Sequence, residues 1–235
     1  MPYTYRAINF TLKGLTEILC RVDHEQLKRV PLRGPLILVG NHINFLDAPV
    51  LYTRLQPRPI TGFAKIETWN NPALGYLADM WRAIPLKRGE VDINAMRQAL
   101  CALESGDILG LSPEGTRSGD GRLQRGHPGV VSLALRSGAP IMPFGFYGSE
   151  KFRDNLNKFR RTNFNIVVGN GFYLDDLGKR TTSSVRQEIT DEIMYQISAL
   201  LPPKYRGYYA DLNAATEKYL KFPNNSRSNL SYGTS

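Results

Sequence analysis

The stretch Leu36-Ile37-Leu38-Val39-Gly40-Asn41-His42-Ile43-Asn44-Phe45-Leu46-Asp47 decides how the rest of the chain is read. Its first five residues form an apolar run with the composition of a buried strand. Ala48-Pro49-Val50-Leu51-Tyr52 then reads as the start of a helix. A histidine and a carboxylate therefore sit where a strand ends and a helix begins, which is the edge at which open α/β sheets keep their ligand sites. On a continuous helix His42 and Asp47 would lie on different faces, because facing partners are three or four residues apart. They meet only if His42 is on the turn and the chain bends back in the first helical turn. An imidazole oriented by a carboxylate is a general-base arrangement. The plainer alternatives are an N-cap role for Asp47, with Pro49 in the first turn, and a core position for His42.

Outward from this point, two periodicities alternate. Apolar runs at 36–40, 59–64, 83–87, 107–112 and 140–147 read as strands, with helical stretches near 47–55, 71–81, 92–105 and 127–137 between them. Such alternation predicts an α/β fold with a mostly parallel central sheet and helices on both faces. In the helix at 92–105, Asp92 is the expected N-cap, Ile93, Met96, Leu100 and Leu103 form the apolar stripe, and Gly106 ends it. A further strand at 164–168 leads to a helix near 185–200. There Ser184 and Gln187 read as a capping box, and Val185, Ile189, Ile193, Ile197 and Leu200 face inward.

The chain divides into an N-terminal amphipathic segment (1–30), an α/β domain (31–205) and a C-terminal extension (206–235). The last stretch, from Phe222, is rich in Asn, Ser and Gly and reads as a frayed or disordered tail. Over residues 3–22, Ile8, Leu12, Leu15, Leu19 and Val22 recur at helical spacing, with Arg6, Lys13, Glu17 and Arg21 on or beside the other face. This helix either packs on the domain or lies in the interface of an anionic membrane.

Composition narrows the partners. The 235 residues carry 30 Lys and Arg against 21 Asp and Glu, a formal charge of +9. That balance favours nucleic acid, an acidic membrane surface or a phosphorylated substrate. The two cysteines, Cys20 and Cys101, lie in helical, apolar contexts and suggest a reducing compartment without a disulfide framework. No run approaches the ~18 apolar residues of a spanning helix, and Arg6, Lys13 and Glu17 interrupt any secretory core at the N-terminus. The expectation is a peripheral or monotopic protein on the cytoplasmic side of a membrane. His24, His42 and His127 are far apart and show no metal-ligand spacing.

A second block, Leu111-Ser112-Pro113-Glu114-Gly115-Thr116-Arg117-Ser118, follows the strand at 107–112. It places a stiff turn, a carboxylate, a residue free to adopt positive φ, a hydroxyl and a guanidinium within a few positions. Those are parts for holding a phosphorylated polyol, with Arg117 able to grip phosphate as a fork. Pro85-Leu86-Lys87-Arg88-Gly89 closes another strand with two cations, either a solvated edge or a ligand site. Gly138-Ala139-Pro140-Ile141-Met142-Pro143 is apolar and shapes the sheet.

These blocks occur in one order: Asn-His-x4-Asp, an apolar strand ending in Arg, Pro-Glu-Gly-Thr-Arg-Ser, and Ala-Pro-Ile-x-Pro. Together, over about residues 31–175, they resemble the glycerophospholipid acyltransferase superfamily, in particular its 1-acyl-sn-glycerol-3-phosphate acyltransferases. The resemblance implies that His42 is the general base and Asp47 its orienting partner. It implies that Arg88, Glu114, Gly115, Thr116 and Arg117 bind a phosphate-bearing acceptor. The implied reaction moves an acyl group from acyl-coenzyme A or acyl-carrier protein, as co-substrate, to the free hydroxyl of a lysophospholipid. 1-Acyl-sn-glycerol-3-phosphate is the first choice of acceptor, another lysolipid or glycerol phosphate the alternative. No tightly bound cofactor is implied. The chain departs from the family pattern at Asn44, where Ser is frequent, and at Ser112, where a bulky apolar residue is frequent.

Other classes fit less of the sequence. Gly110-Leu111-Ser112-Pro113-Glu114 begins like the nucleophile elbow of a serine hydrolase, but Glu114 replaces its closing glycine, and Pro113 lacks the N–H of the usual oxyanion hole. Lys151-Phe152-Arg153 and Lys158-Phe159-Arg160-Arg161 interleave cations with aromatics, which suits nucleic acid or an anionic membrane surface.

Overall fold

The computed structural model describes residues 3–87, 92–175, 181–224 and 226–233. Seven strands form one sheet: β1 (Cys20–Asp23), β2 (Leu36–Gly40), β3 (Ile60–Lys65), β4 (Ile84–Leu86), β5 (Ile108–Leu111), β6 (Ile141–Tyr147) and β7 (Thr162–Val168). Their spatial order is β1-β7-β6-β2-β5-β3-β4. Neighbours are parallel except β6 and β7, so β1 and β7 run against the other five. The helices are α1 (Tyr3–Leu19), α2 (Asp47–Arg54), α3 (Pro72–Met80), α4 (Ile93–Glu104), α5 (Gly129–Ser137), α6 (Phe152–Asn157), α7 (Ser183–Leu200) and α8 (Leu230–Gly233). A small antiparallel pair, β8 (Tyr173–Leu174) with β9 (Leu220–Lys221), stands apart. The mostly parallel α/β sheet expected from the alternation is the architecture found.

Burial on both faces explains the unbroken apolar runs. Along β2, Ile37 and Val39 face a core shared with Leu109, Ile141 and the inner sides of α4, α5 and α7. Leu36 and Leu38 face a second core with Val50, Leu51, Phe144, Phe146 and Phe164. With the period of two, consecutive residues of one strand serve opposite layers.

Several elements differ from their sequence reading. The N-terminal helix stops at Leu19, and Cys20–Asp23 forms edge strand β1. Cys20 is thus a buried strand residue, while Cys101 is helical but exposed. The inward face of α1 is Tyr5, Asn9, Leu12, Thr16 and Leu19, so Leu12 and Leu19 of the expected stripe pack inward while Leu15 is 49% exposed. Asn9 is tolerated there because its Oδ1 accepts the Trp81 indole N–H at 3.1 Å. On α4, Asp92 caps the helix by accepting from Ala95 N at 2.9 Å, as expected. Ile93, however, is 68% exposed, and Ala95, Ala99 and Ala102 carry the contact beside Leu103. Small alanines let α4 sit close to the sheet, a signal that an apolar-stripe count undervalues. On α7 the cap is Thr182, which accepts from Val185 N; Gln187 instead donates to Gly126 O at 3.1 Å.

The C-terminal composition misleads. Among the described residues beyond 222, Asn229 is fully buried, donates from both its main-chain N and its Nδ2 to Gln196 Oε1, and accepts from Asn170 N. Local polarity suggested a frayed tail, yet the amide of Asn229 is satisfied by partners distant in sequence.

Candidate active site

Strand β2 ends at Gly40, where β6 leaves no room for a side chain: a Cβ there would lie 2.6 Å from the Phe144 ring. Asn41 then continues the pairing with its side chain. Its Nδ2 donates to Phe146 O at 2.9 Å, and its Oδ1 accepts from Phe146 N at 2.7 Å. The chain leaves the sheet at His42 and turns through residues 42–46 into α2. Asn44 builds that turn. Its Oδ1 accepts from Leu46 N at 2.8 Å, and its Nδ2 donates to Ser149 O at 2.9 Å, tying the turn to the segment after β6. A serine at 44 has no second arm of that length, so the amide here does structural work on two loops.

Asp47 is the first residue of α2 and gathers the turn around one oxygen. Oδ2 accepts from Ile43 N at 2.6 Å, from Asn44 N at 3.0 Å and from His42 Nδ1 at 2.7 Å. Asp47 is therefore not the N-cap: that position is Leu46, without a side-chain capping bond, and the carboxylate instead serves the preceding turn and the ring. A carboxylate only accepts, so Nδ1 carries the proton and Nε2 of a neutral His42 presents a lone pair. The His42 side chain is 29% exposed, and among the described residues nothing hydrogen-bonds Nε2.

The second block is brought alongside because β5 neighbours β2. Ser118 N donates to His42 O at 2.8 Å, and Gly119 N donates to Ile43 O at 3.1 Å. Glu114 does not face outward with its neighbours. It is 2% exposed; Oε1 accepts from His42 N at 3.2 Å and Oε2 from Gln124 N at 2.9 Å. Burial pushes its carboxyl up to about 7, against the pull of those two main-chain donors and the neighbouring Ser112 hydroxyl, with Asp47 adding a small upward push. Gly115, at φ +67°, makes the left-handed turn that exposes Thr116 and Arg117 on the rim. His127 N donates to Pro113 O at 2.8 Å and closes the base of the loop. The remaining clamp comes from the C-terminal segment: Leu123 N donates to Tyr205 O at 3.0 Å, Tyr208 N to Leu123 O at 2.9 Å, and Gly126 N to the Tyr209 hydroxyl at 3.0 Å. None of these tyrosines carries a local motif that would have marked it.

The structure thus assembles His42, Asp47 and Glu114 directly and sets Gly115, Thr116 and Arg117 on the same loop. Arg88 lies outside the described residues. Strand β4, which precedes it, is three strands from β2, about 14 Å at ordinary strand spacing. The Ser112 hydroxyl is buried beside Glu114, and among the described residues no imidazole hydrogen-bonds it, which is not how a hydrolase nucleophile is activated. Among the described residues no group of three or more His, Cys, Asp or Glu side chains is arranged to hold a metal ion.

Comparison with known proteins bears on this geometry. The family model Acyltransferase matches residues 21–147, which reach from β1 to the end of β6 and include His42, Asp47 and the loop of Glu114. The chain belongs to the acyltransferase family. Its relatives place it within the glycerophospholipid acyltransferase superfamily. It is 30% identical over 135 residues to the chloroplastic 1-acyl-sn-glycerol-3-phosphate acyltransferase BAT2 of Brassica napus, covering 56% of this chain and 38% of that one. It is 22% identical over 197 residues to the 1-acyl-sn-glycerol-3-phosphate acyltransferase of Bacillus subtilis, covering 83% of this chain and 96% of that one. The chain spans less than half the length of the plant relatives BAT2 and LPAT1. The crystal structure of the 1-acyl-sn-glycerophosphate acyltransferase PlsC of Thermotoga maritima superposes with a TM-score of 0.57 at 20% identity, covering 79% of this chain and 78% of that one, and shares the fold.

Proposed function

We propose that this acyltransferase moves a fatty acyl group from a thioester to the free hydroxyl of a lysophospholipid, with 1-acyl-sn-glycerol-3-phosphate as acceptor and phosphatidate as product. The observation that carries the reading is the 2.7 Å contact of His42 Nδ1 with Asp47 Oδ2, which leaves Nε2 as the basic edge at a half-open rim. In this reading Nε2 takes the proton of the acceptor hydroxyl as its oxygen attacks the thioester carbonyl. The C–S bond then breaks, and the sulfur leaves as the carrier's thiol. Asp47 holds the tautomer and stabilises the imidazolium formed. The substrate's own oxygen attacks, so no serine or cysteine nucleophile is required. Positioning supplies the rest of the acceleration.

Arg117, exposed on the turn that Gly115 makes, is assigned to the acceptor's phosphate, with the Thr116 hydroxyl beside it; Arg88 is proposed for the same role. Arg117→Ala is expected to raise the KM for lysophosphatidate by about 10–100-fold, the worth of one charged hydrogen-bonded contact, while kcat changes little. Steady-state kinetics with varied acceptor check this; an unchanged KM removes Arg117 from the site. The test of the reaction itself is phosphatidate formation by purified protein from lysophosphatidate and either acyl-coenzyme A or acyl-carrier protein. Fatty acid released at the same rate without acceptor would mean a hydrolase instead.

The reading includes a peripheral position on an anionic membrane, on its cytoplasmic side. Helix α1 supports it: with one face packed on α2, the opposite side shows Phe10 at 80% and Ile18 at 70% exposure, flanked by Arg6 and Lys13. No helix among the described residues is long and apolar enough to cross a membrane. Replacing Phe10 and Ile18 together by Ser is expected to weaken sedimentation with phosphatidylglycerol vesicles at least tenfold. Undiminished sedimentation would remove α1 from the membrane contact.

A further inference from the structure

The connection between α6 and β7 holds an aromatic ring where the backbone prefers none. Helix α6 ends in a paired C-terminal turn: Phe159 N donates to Leu156 O at 3.0 Å, and Arg160 N donates to Asn155 O at 2.8 Å. That turn needs a left-handed residue just past the cap, where glycine is the usual occupant because a Cβ crowds the neighbouring carbonyl. Here the residue is Phe159, at φ +51°, and it is 100% exposed. Leu156, one turn back, is also exposed. The segment 151–161 carries Lys151, Arg153, Lys158, Arg160 and Arg161, all exposed, and one acid, Asp154.

Topology sets this tip on the rim that carries His42. Strand β7 is antiparallel to β6, so its first residue, Thr162, lies beyond the end of β6, at the edge where β2 releases His42. Arg161 Nη2 donates to Glu17 O at 2.5 Å and Cys20 O at 2.7 Å, fastening the tip to the last turn of α1. Phe152, the buried first residue of α6, packs edge-on against Phe45 at 5.8 Å, and Phe45 belongs to the turn between His42 and Asp47. The tip, the end of α1 and the catalytic turn therefore share one edge of the molecule.

We propose that residues 156–161 form a second lipid-contact site, separate from the stripe on α1, whose partner is an anionic bilayer. Phe159 enters the acyl region with Leu156 beside it, and Lys158 and Arg160 meet headgroup phosphates. Charge and shape favour this occupant: a lone ring on a narrow basic knob penetrates a fluid surface, whereas a folded protein partner calls for a broader complementary face. The contact stands apart from the acyl-transfer reading and is tested without it.

The test uses the full chain, with vesicles of phosphatidylglycerol mixed with phosphatidylcholine and of phosphatidylcholine alone. Phe159→Gly is expected to weaken binding to the mixed vesicles about tenfold, while the melting temperature rises by about 2–4 °C, because glycine relieves the left-handed strain. Replacing Lys158 and Arg160 by Gln is expected to weaken binding to the mixed vesicles about thirtyfold and to leave the weak binding to phosphatidylcholine unchanged. Phe159→Gly binding as tightly as the parent would overturn the proposal. So would a loss of binding accompanied by a lower melting temperature, which would assign the ring to the fold. A third overturning result is a charge-neutral variant that keeps vesicle binding but loses affinity for oligonucleotides.

Discussion

Replacing His42 by alanine is expected to lower phosphatidate formation by about 10²–10⁴-fold, the usual worth of general-base assistance, with little change in stability. The stability expectation follows from position: the imidazole is 29% exposed, and among the described residues its ring hydrogen-bonds only Asp47. Asp47→Asn is expected to cost about as much activity and considerably more stability. Oδ2 of Asp47 serves three donors, two of them main-chain N–H groups of Ile43 and Asn44. An asparagine that keeps its oxygen toward those amides and the ring retains all three contacts but lacks the charge that stabilises the imidazolium. One that turns its NH₂ toward them strands buried donors, at about 1–3 kcal/mol each. Single-turnover rates with thioester and lysophosphatidate, beside denaturant melts, separate the two effects. A His42→Ala protein that is folded and fully active would end the base assignment.

The second large effect concerns Glu114 and pH. Burial holds its carboxyl near 7 in the folded chain, whereas the ordinary value is 4.5. Between those two values the folded state keeps a proton that the unfolded chain has released. The group's contribution to stability is therefore greatest below about 4.5, is lost as pH rises towards 7, and stays lost above it. The interval corresponds to about 3 kcal/mol. Glu114→Gln cannot titrate, so the stability difference between variant and parent should shift by about 3 kcal/mol in the variant's favour between pH 4.5 and pH 8. Urea unfolding at both ends measures it, and a difference independent of pH would show that Glu114 is not a buried carboxyl. Activity should move the other way. The carboxylate accepts from His42 N and Gln124 N, and an amide facing the second of these is a donor facing a donor. We expect a drop of about tenfold in kcat at pH 8, with the acceptor KM nearly unchanged, since Glu114 is enclosed and Arg117 is not. A raised KM at constant kcat would place Glu114 on the acceptor instead, as the family resemblance implies.

This arrangement gives the protein a reason to keep a costly residue. A carboxylate held against desolvation contributes little to stability, but it fixes the main chain of His42 from below while Asp47 fixes its ring from the side. The turn is thereby held from both β5 and α2, and neither contact needs a ligand in place.

The sequence by itself determined the layers and the meeting of His42 with Asp47. Apolar runs such as Leu36–Val39, alternating with helical stretches, leave a two-faced parallel sheet as the consistent solution, because only burial on both sides accounts for strands without polar alternation. His42 and Asp47 were legible for a similar reason: their contact is local, closing within one turn, and Asn44, Asp47 and Pro49 supply the turn chemistry. What only the tertiary structure decided is everything that depends on which strands are neighbours. Nothing near Glu114 says that β5 lies beside β2, so its inward orientation on His42 N could not be read from Pro-Glu-Gly-Thr-Arg. Strand β1 was hidden because Cys20–Asp23 continues a helical pattern, and its pairing with β7 is a contact about 140 residues away in the chain. Asn229 looked like a tail residue, and Tyr205 and Tyr209 looked like unremarkable aromatics, until Gln196 and the loop at 123–126 were placed against them. The physical division is between interactions that close within a turn, which residue type and spacing specify, and those that depend on strand order, which packing of the whole chain selects.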